Sequence, residues 1–229
     1  MDRPVKTRPY RSAVRLEQAA ATRGAVLAAA RELFTRDGYD ATTVTGVAHT
    51  AGVSVDTVYA SVGRKPELVL AVIDMVLGGT DEPVPAEERG YVRAVRAASS
   101  AEEKIALYAA ALGRTMPAVA PLVDALRRAG EGDAQCRRVA ERLSERRAAN
   151  MRLFIADLAS AGGVRTDLRA ADLADIVWSM NSPEYYLLLR SRGWGPRRYA
   201  RFLADAWGRL LLSTPAQGRG LPPGIRKTR

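Results

Sequence analysis

Four short helix-compatible segments, separated by glycines, fill the stretch from Thr22 to Leu77, and this punctuation limits the fold more than any other feature. The first starts after Thr22, a suitable N-cap, and sets Val26, Leu27, Ala30, Leu33 and Phe34 on one face. Gly38, in Asp37-Gly38-Tyr39, ends it where a left-handed backbone costs least. A second segment opens at Thr43 and turns Val44, Val47, Ala48 and Ala51 inward before Gly52 stops it. Ser54 caps a third, Val55 to Val62, which buries Val58 and Val62. Gly63 breaks the chain again, and a fourth helix runs from about Lys65 to Leu77, with Pro66 tolerated in its first turn. The middle segments are too short to persist alone in water, so the four must pack on one another.

Beyond them, the Gly-, Pro- and acid-rich run from Gly78 to Pro85 marks a joint. Helical periodicity resumes at about 87–98, 101–115, 117–129 and 133–160, closed by Ala161-Gly162-Gly163. Two last helices are expected at about 170–190 and 196–212. The first of these is interrupted at Asn181-Ser182-Pro183-Glu184, where Ser182 can cap and Pro183 can restart it. Ala, Leu, Arg and Glu recur while strand-like alternation is absent, and the expected class is all-α.

Several function classes lack the residues they need. The single cysteine, Cys136, excludes an internal disulfide or a multi-cysteine zinc site, and the single histidine, His49, excludes a histidine cluster. There is no glycine-rich phosphate loop and no pair of carboxylates in an apolar setting, so we expect no enzyme, no metal and no cofactor. A polar, basic start and the lack of a long uninterrupted apolar run favour a cytoplasmic protein without a membrane partner. The net charge of +10 lies mostly at the ends. Arg3, Lys6, Arg8, Arg11, Arg15 and Arg23 outnumber Asp2 and Glu17, and Arg219, Arg226, Lys227 and Arg229 face no acid. Such ends favour a polyanion without naming one.

The stretch Val44 to Tyr59 carries the functional signal. Two short helices joined by a tight turn at Gly52-Val53-Ser54 have the form in which the second enters a DNA major groove. The order of residues adds to this: Ala29-Ala30-Arg31-Glu32-Leu33-Phe34, Gly38-Tyr39-Asp40-Ala41-Thr42-Thr43-Val44, Val47-Ala48, Ala51-Gly52-Val53-Ser54, Thr57-Val58-Tyr59 and Gly63-Arg64-Lys65-Pro66-Glu67-Leu68. Thr22 to Asp74 thereby resembles the N-terminal DNA-binding domain of the TetR family of bacterial regulators. Leu173 to Arg190, Gly193-Trp194 and Tyr199 to Leu212 look like the C-terminal ligand and dimer domain of one subgroup.

The resemblance implies a helix-turn-helix head followed by a larger antiparallel helical bundle that dimerises. The expected divisions are a flexible basic arm (1–21), the DNA-binding head (22–78), an effector-binding and dimerisation domain (86–213) and a disordered basic tail (214–229). The implied function is a ligand-responsive repressor that binds a palindromic double-stranded operator as a homodimer. A non-specific basic DNA-binding protein and, more remotely, a cofactor-free small-molecule enzyme are the alternatives.

Roles follow residue by residue. Thr43, at a helix N-terminus, is expected against a phosphate, with Thr45 beside it. Val55, Asp56, Thr57, Ala60 and Ser61 are placed on the exposed face of the recognition helix. Thr57 and Ser61 can reach a base or a phosphate, and Val55 or Ala60 a thymine methyl. Asp56 can accept from cytosine N4 or simply stabilise the first helical turn. Tyr59 resembles the family's phosphate-contacting tyrosine, and Lys65 its lysine at the start of the fourth helix. Ala60-Ser61-Val62 departs from the bulky aromatic pair often found there, which shifts affinity towards phosphates. His49 is expected to be solvated.

For an unknown small-molecule effector, the candidate lining is Tyr108, Met116, Met151, Phe154, Trp178, Asn181, Tyr185 and Tyr186, in a pocket between long helices. Ala174, Val177, Leu187, Leu188, Phe202, Leu203, Ala206, Leu210 and Leu211 give the last two helices apolar cover on more than one side, as a homodimer requires.

Overall fold

The computed structural model describes residues 9–82 and 84–213, with side chains from Ala13 onward. The start of the expected arm and the whole tail from Thr214 lie outside the described residues. The fold is all-α: α1 (Pro9–Ala41), α2 (Val44–Ala51), α3 (Val55–Ser61), α4 (Lys65–Gly78), a 3-10 turn (Ala86–Glu88), α5 (Gly90–Ala97), α6 (Ala101–Ala129), α7 (Ala134–Ala161), α8 (Ala170–Met180), α9 (Pro183–Ser191) and α10 (Pro196–Leu211).

Two expectations about helix ends fail. Residues 9–21 are helical rather than an irregular arm, because α1 continues back to Pro9. Pro9 sits where a helix needs no N–H, and Gly and Pro are then absent until Gly24, so helical propensity carries α1 back through residues 13–21, which are exposed. Val14 and Leu16 remain exposed on it. The break expected at Gly38 is present, with φ 79°, although a last turn reaches Ala41.

The second failure is in α6, which runs unbroken through Pro117 and Pro121. Both prolines are exposed, while the same turns bury Met116, Val119, Ala120 and Leu122. That burial outweighs a cost of about 3 kcal/mol for each helix-interior proline. By length and composition α6 is the one helix among the described residues apolar enough to cross a membrane, and half of its most apolar window is buried inside this fold. It is the central helix, packed against α1, α4, α5, α7, α9 and α10.

Two hydrophobic clusters organise the molecule. The first joins Leu27, Phe34, Val47, Val58, Leu68 and Ile73 of the head to Val119 and Leu126 of α6 and Val139 of α7. The joint after α4 is therefore a boundary in sequence but not in the core. The second cluster is built from Ile105, Tyr108, Phe154, Leu158, Leu173, Tyr199, Leu203 and Trp207. As the sequence suggests, Ser182 restarts the chain after α8 by accepting from the Tyr185 N–H at 3.0 Å.

The proposed dimer residues divide. Ala174, Val177, Leu203 and Leu211 are buried in the protomer's own core. Leu188 is 63% and Leu210 38% exposed, while Leu187, Phe202 and Ala206 are half-buried. The i, i+4 spacing of Tyr199, Leu203, Trp207 and Leu211 already fills the inner stripe of α10, and a second stripe remains outside.

Candidate nucleic-acid interface and effector cavity

The turn between α2 and α3 is fixed by backbone chemistry. Gly52 takes the left-handed conformation (φ 68°, ψ 30°), so that the Val53 N–H donates to the Ala48 carbonyl at 3.0 Å. Ser54 then caps α3, accepting from the Thr57 N–H at 3.1 Å. Thr43 caps α2 in the same way, accepting from the Gly46 N–H at 3.0 Å. Val47, Ala48 and Val58 seal the pair against α1 and α4, and the Arg23 guanidinium ties α1 to the end of α3 by donating to the Ser61 carbonyl at 2.6 Å.

The outward surface is narrower than expected. Thr43, Thr45, Asp56, Tyr59 and Ala60 are exposed, Tyr59 at 47%. Val55 is instead half-buried against the head core, because the first turn of a seven-residue helix must contribute to its own packing. Thr57 and Ser61 are also half-buried, with hydroxyls engaged internally: Thr57 with the Ser54 hydroxyl at 2.8 Å, and Ser61 donating to the Val58 carbonyl at 3.2 Å. Each retains acceptor capacity. His49 is exposed.

Lys65 does not project freely. Its ammonium lies 4.1 Å from the Tyr39 ring centroid and donates to the Asp40 carbonyl at 3.3 Å, and burial lowers its pKa below the usual lysine value. The Tyr39 hydroxyl in turn meets the Cys136 thiol at 3.1 Å, and burial with that contact pushes the tyrosine pKa up. Lys65 thus anchors the start of α4. Its neighbour Arg64 was not among the expected contacts, yet it is exposed and its side chain makes no hydrogen bond or ion pair among the described residues. Its place between Gly63 and the fourth helix was the available signal.

The body contains a partly open cavity of about 550 Å³ between α4, α5, α6, α7 and the α8–α9 break. Five of the eight expected lining residues reach it: Tyr108, Met116, Met151, Phe154 and Asn181. Trp178, Tyr185 and Tyr186 do not. Trp178 stacks beneath the Arg147 guanidinium, Tyr186 packs edge-on against Tyr199, and Tyr185 lies half-buried in the second cluster. Aromatic residues at helical spacing serve the core first. The wall also includes Ile73 and Leu77 of α4, Tyr91 of α5 and Arg147 of α7, none of them expected.

Polar groups in the wall form two networks. Asn181 donates to the Tyr108 hydroxyl at 3.0 Å and its carbonyl oxygen accepts from Arg147 at 2.6 Å; Arg147 also donates to the Trp178 carbonyl. Burial raises the Tyr108 pKa, so its hydroxyl stays protonated, and burial lowers that of Arg147, which nevertheless remains a cation. In the second network Asp74 of α4 accepts from Arg89 at 3.1 Å and from both terminal nitrogens of Arg146 at 3.0 and 2.6 Å. Both arginines line the cavity, so the cavity wall is ionically tied to the fourth helix of the head.

Comparison with known proteins agrees with this architecture. Residues 26–72 match the family described as bacterial regulatory proteins, TetR family. No curated protein matches the chain. Among solved structures, a proposed transcriptional regulator from Saccharomonospora viridis in complex with choline shares 16% identity, with 84% of this chain and 98% of that one covered at a TM-score of 0.63. A proposed TetR-family regulator from Rhodococcus sp. shares 18% identity, covering 84% and 99% at a TM-score of 0.61. The regulator FadR from Bacillus subtilis in complex with stearoyl-CoA shares 14%, covering 80% and 96% at a TM-score of 0.62. At such identities the likeness is one of fold. The chain thus carries the helix-turn-helix head of the TetR family of bacterial regulatory proteins on a helical body of the fold found in that family's transcriptional regulators.

Proposed function

We propose that this protein is a ligand-responsive repressor that binds a palindromic operator as a homodimer. The observation that carries the reading is the contact between its two parts: the cavity wall includes Ile73 and Leu77 of the same helix that begins beside the DNA-facing turn. Thr43, Thr45 and Arg64 supply phosphate contacts, while Asp56, Tyr59 and Ala60 present the exposed face of α3. Half-buried Thr57 and Ser61 contribute through their remaining acceptors, and Val55 and Lys65 position the helices. The relatives solved with choline and with stearoyl-CoA hold ligands of unlike chemistry, so the fold supports an effector without specifying it. The dimer forms through Leu187 and Leu188 of α9 and Phe202, Ala206 and Leu210 of α10.

The test is selection of bound duplexes from a random library, followed by competition. A palindromic winner preferred by at least about 10³-fold over random duplex is expected. Equal affinity for all duplexes would leave only a non-specific basic binder.

A further inference from the structure

Among the described residues, the cavity wall contains one cation that is withdrawn from solvent and has no counter-ion. Arg147, half-buried in the wall, has no carboxylate within ion-pair distance among the described residues. Of the other basic groups nearby, Arg96 and Arg137 are exposed to solvent and the rest are paired. Arg89 and Arg146 share Asp74, Lys104 pairs with Asp157 at 3.0 Å, and Arg127 contacts Asp124 and Glu184. Of the acids in the wall, Glu87, Glu131 and Glu141 are exposed at the rim, and Glu184, the nearest to act on Arg147, is 50% exposed beside Arg127.

The geometry of the guanidinium narrows the ligand further. One terminal nitrogen, Nη1, makes both hydrogen bonds, to the Trp178 carbonyl and Asn181 Oδ1, and Trp178 covers one face at 4.6 Å. The edge formed by Nε and Nη2 has no partner among the described residues. That edge is the two-donor fork that matches a carboxylate. The nearby Tyr108 hydroxyl donates only to the Met151 sulfur, at 3.6 Å, a weak acceptor that an oxygen would displace. Tyr91, Leu112, Met116, Val119 and Phe154 surround the remaining space with apolar surface.

We propose that the effector is an amphipathic carboxylate, its head held by the Nε/Nη2 edge of Arg147 and its apolar body lying along α6. This rests on the reading of the cavity as an effector site. Burying an unpaired guanidinium is unfavourable, and an anion that completes its hydrogen bonds removes that penalty while apolar contacts add to binding. A neutral analogue keeps only the apolar part, and a quaternary ammonium meets a like charge.

The full-length protein is titrated calorimetrically with decanoate, decanamide and decyltrimethylammonium, and in parallel the release of its selected operator is followed. Decanoate is expected to bind at least about tenfold more tightly than decanamide and to release DNA. Arg147→Gln is expected to bring the two affinities within about twofold, chiefly by weakening decanoate, while decanamide still binds; that retained binding shows the cavity still folded. Arg147→Lys is expected to keep part of the preference. Amide or ammonium binding equal to or tighter than decanoate, with DNA release, overturns the anion and preserves the effector cavity. Binding by none of the three overturns both.

Discussion

The left-handed conformation at Gly52 is the residue-scale feature on which the angle between α2 and α3 turns. Nothing lies within 4 Å of a Cβ placed there, so a substitution is opposed by the backbone alone. Gly52→Ala is expected to cost about 1 kcal/mol in chemical denaturation, and Gly52→Asn to recover part of it, because asparagine tolerates this region. Equal losses from the two would point to packing instead. The caps are a second residue-scale device: Ser54→Ala is expected to cost about 1 kcal/mol and to weaken operator binding by freeing the start of α3. These positions were legible in the sequence because caps and turns are local. The half-burial of Val55, Thr57 and Ser61 was not, since it depends on how deeply a seven-residue helix sinks against α1 and α4.

Between elements, proximity is enforced by small residues and by charge. A Cβ at Gly113 of α6 would meet the Ala200 Cβ at 2.8 Å and the Pro196 carbonyl oxygen at 3.1 Å, so α6 and α10 approach as closely as they do only because position 113 has no side chain. Gly113→Ala is expected to force them apart and lower stability by about 1–3 kcal/mol in thermal or chemical unfolding. An unchanged midpoint would mean that α10 shifts without loss. Asp74 acts over a longer range. Removing its charge leaves Arg89, 4% exposed, without its counter-ion, and Asp74→Asn is expected to cost about 2–3 kcal/mol. An apolar replacement, Asp74→Leu, is no remedy, because it leaves both Arg89 and Arg146 unpaired. If the tie carries the signal, the Asp74→Asn protein still binds ligand and operator, but each affects the other less; undiminished coupling by titration would show that the apolar contacts of Ile73 and Leu77 suffice. Helix type and most helix ends could be read from periodicity, whereas the continuity of α6 through Pro117 could not. Local chemistry argues for a break there, and burial by six surrounding helices decides otherwise. The Asp74 network was equally hidden, because its members lie far apart in the chain.

At the scale of the whole molecule, regulation requires that a small change in the body alter the spacing of two heads. Heads reading successive major grooves on one face of a duplex must stand about 34–36 Å apart, one helical turn. In the proposed dimer the outer stripes of α9 and α10 hold the protomers together, at the end of the chain remote in sequence from the heads. Paired changes Leu188→Glu and Leu210→Glu are therefore expected to give a species near 24.7 kDa in sedimentation, with operator affinity lost and the fold retained by circular dichroism. A persisting dimer would move the interface elsewhere. In the proposed dimer, a ligand that altered the wall formed by Ile73, Leu77, Arg89 and Arg146 would act directly on α4, whose first turn is fixed to the body by Gln135 donating to both Glu67 oxygens at 3.1 and 2.9 Å. Because α4 is tied to the body through both Glu67 and Asp74, the proposed response is a pivot of the helix that carries the heads with it. Only a ligand that favours the DNA-incompetent arrangement shifts the balance, and by no more than its difference in affinity for the two. Spin labels on Ala60→Cys in a Cys136→Ser background report the separation, since Ala60 is exposed on α3 and Cys136 is the only native thiol. A ligand that abolishes operator binding is expected to move the distance distribution away from the value measured on the operator. An unchanged distribution would reject the spacing mechanism while leaving ligand binding and repression intact.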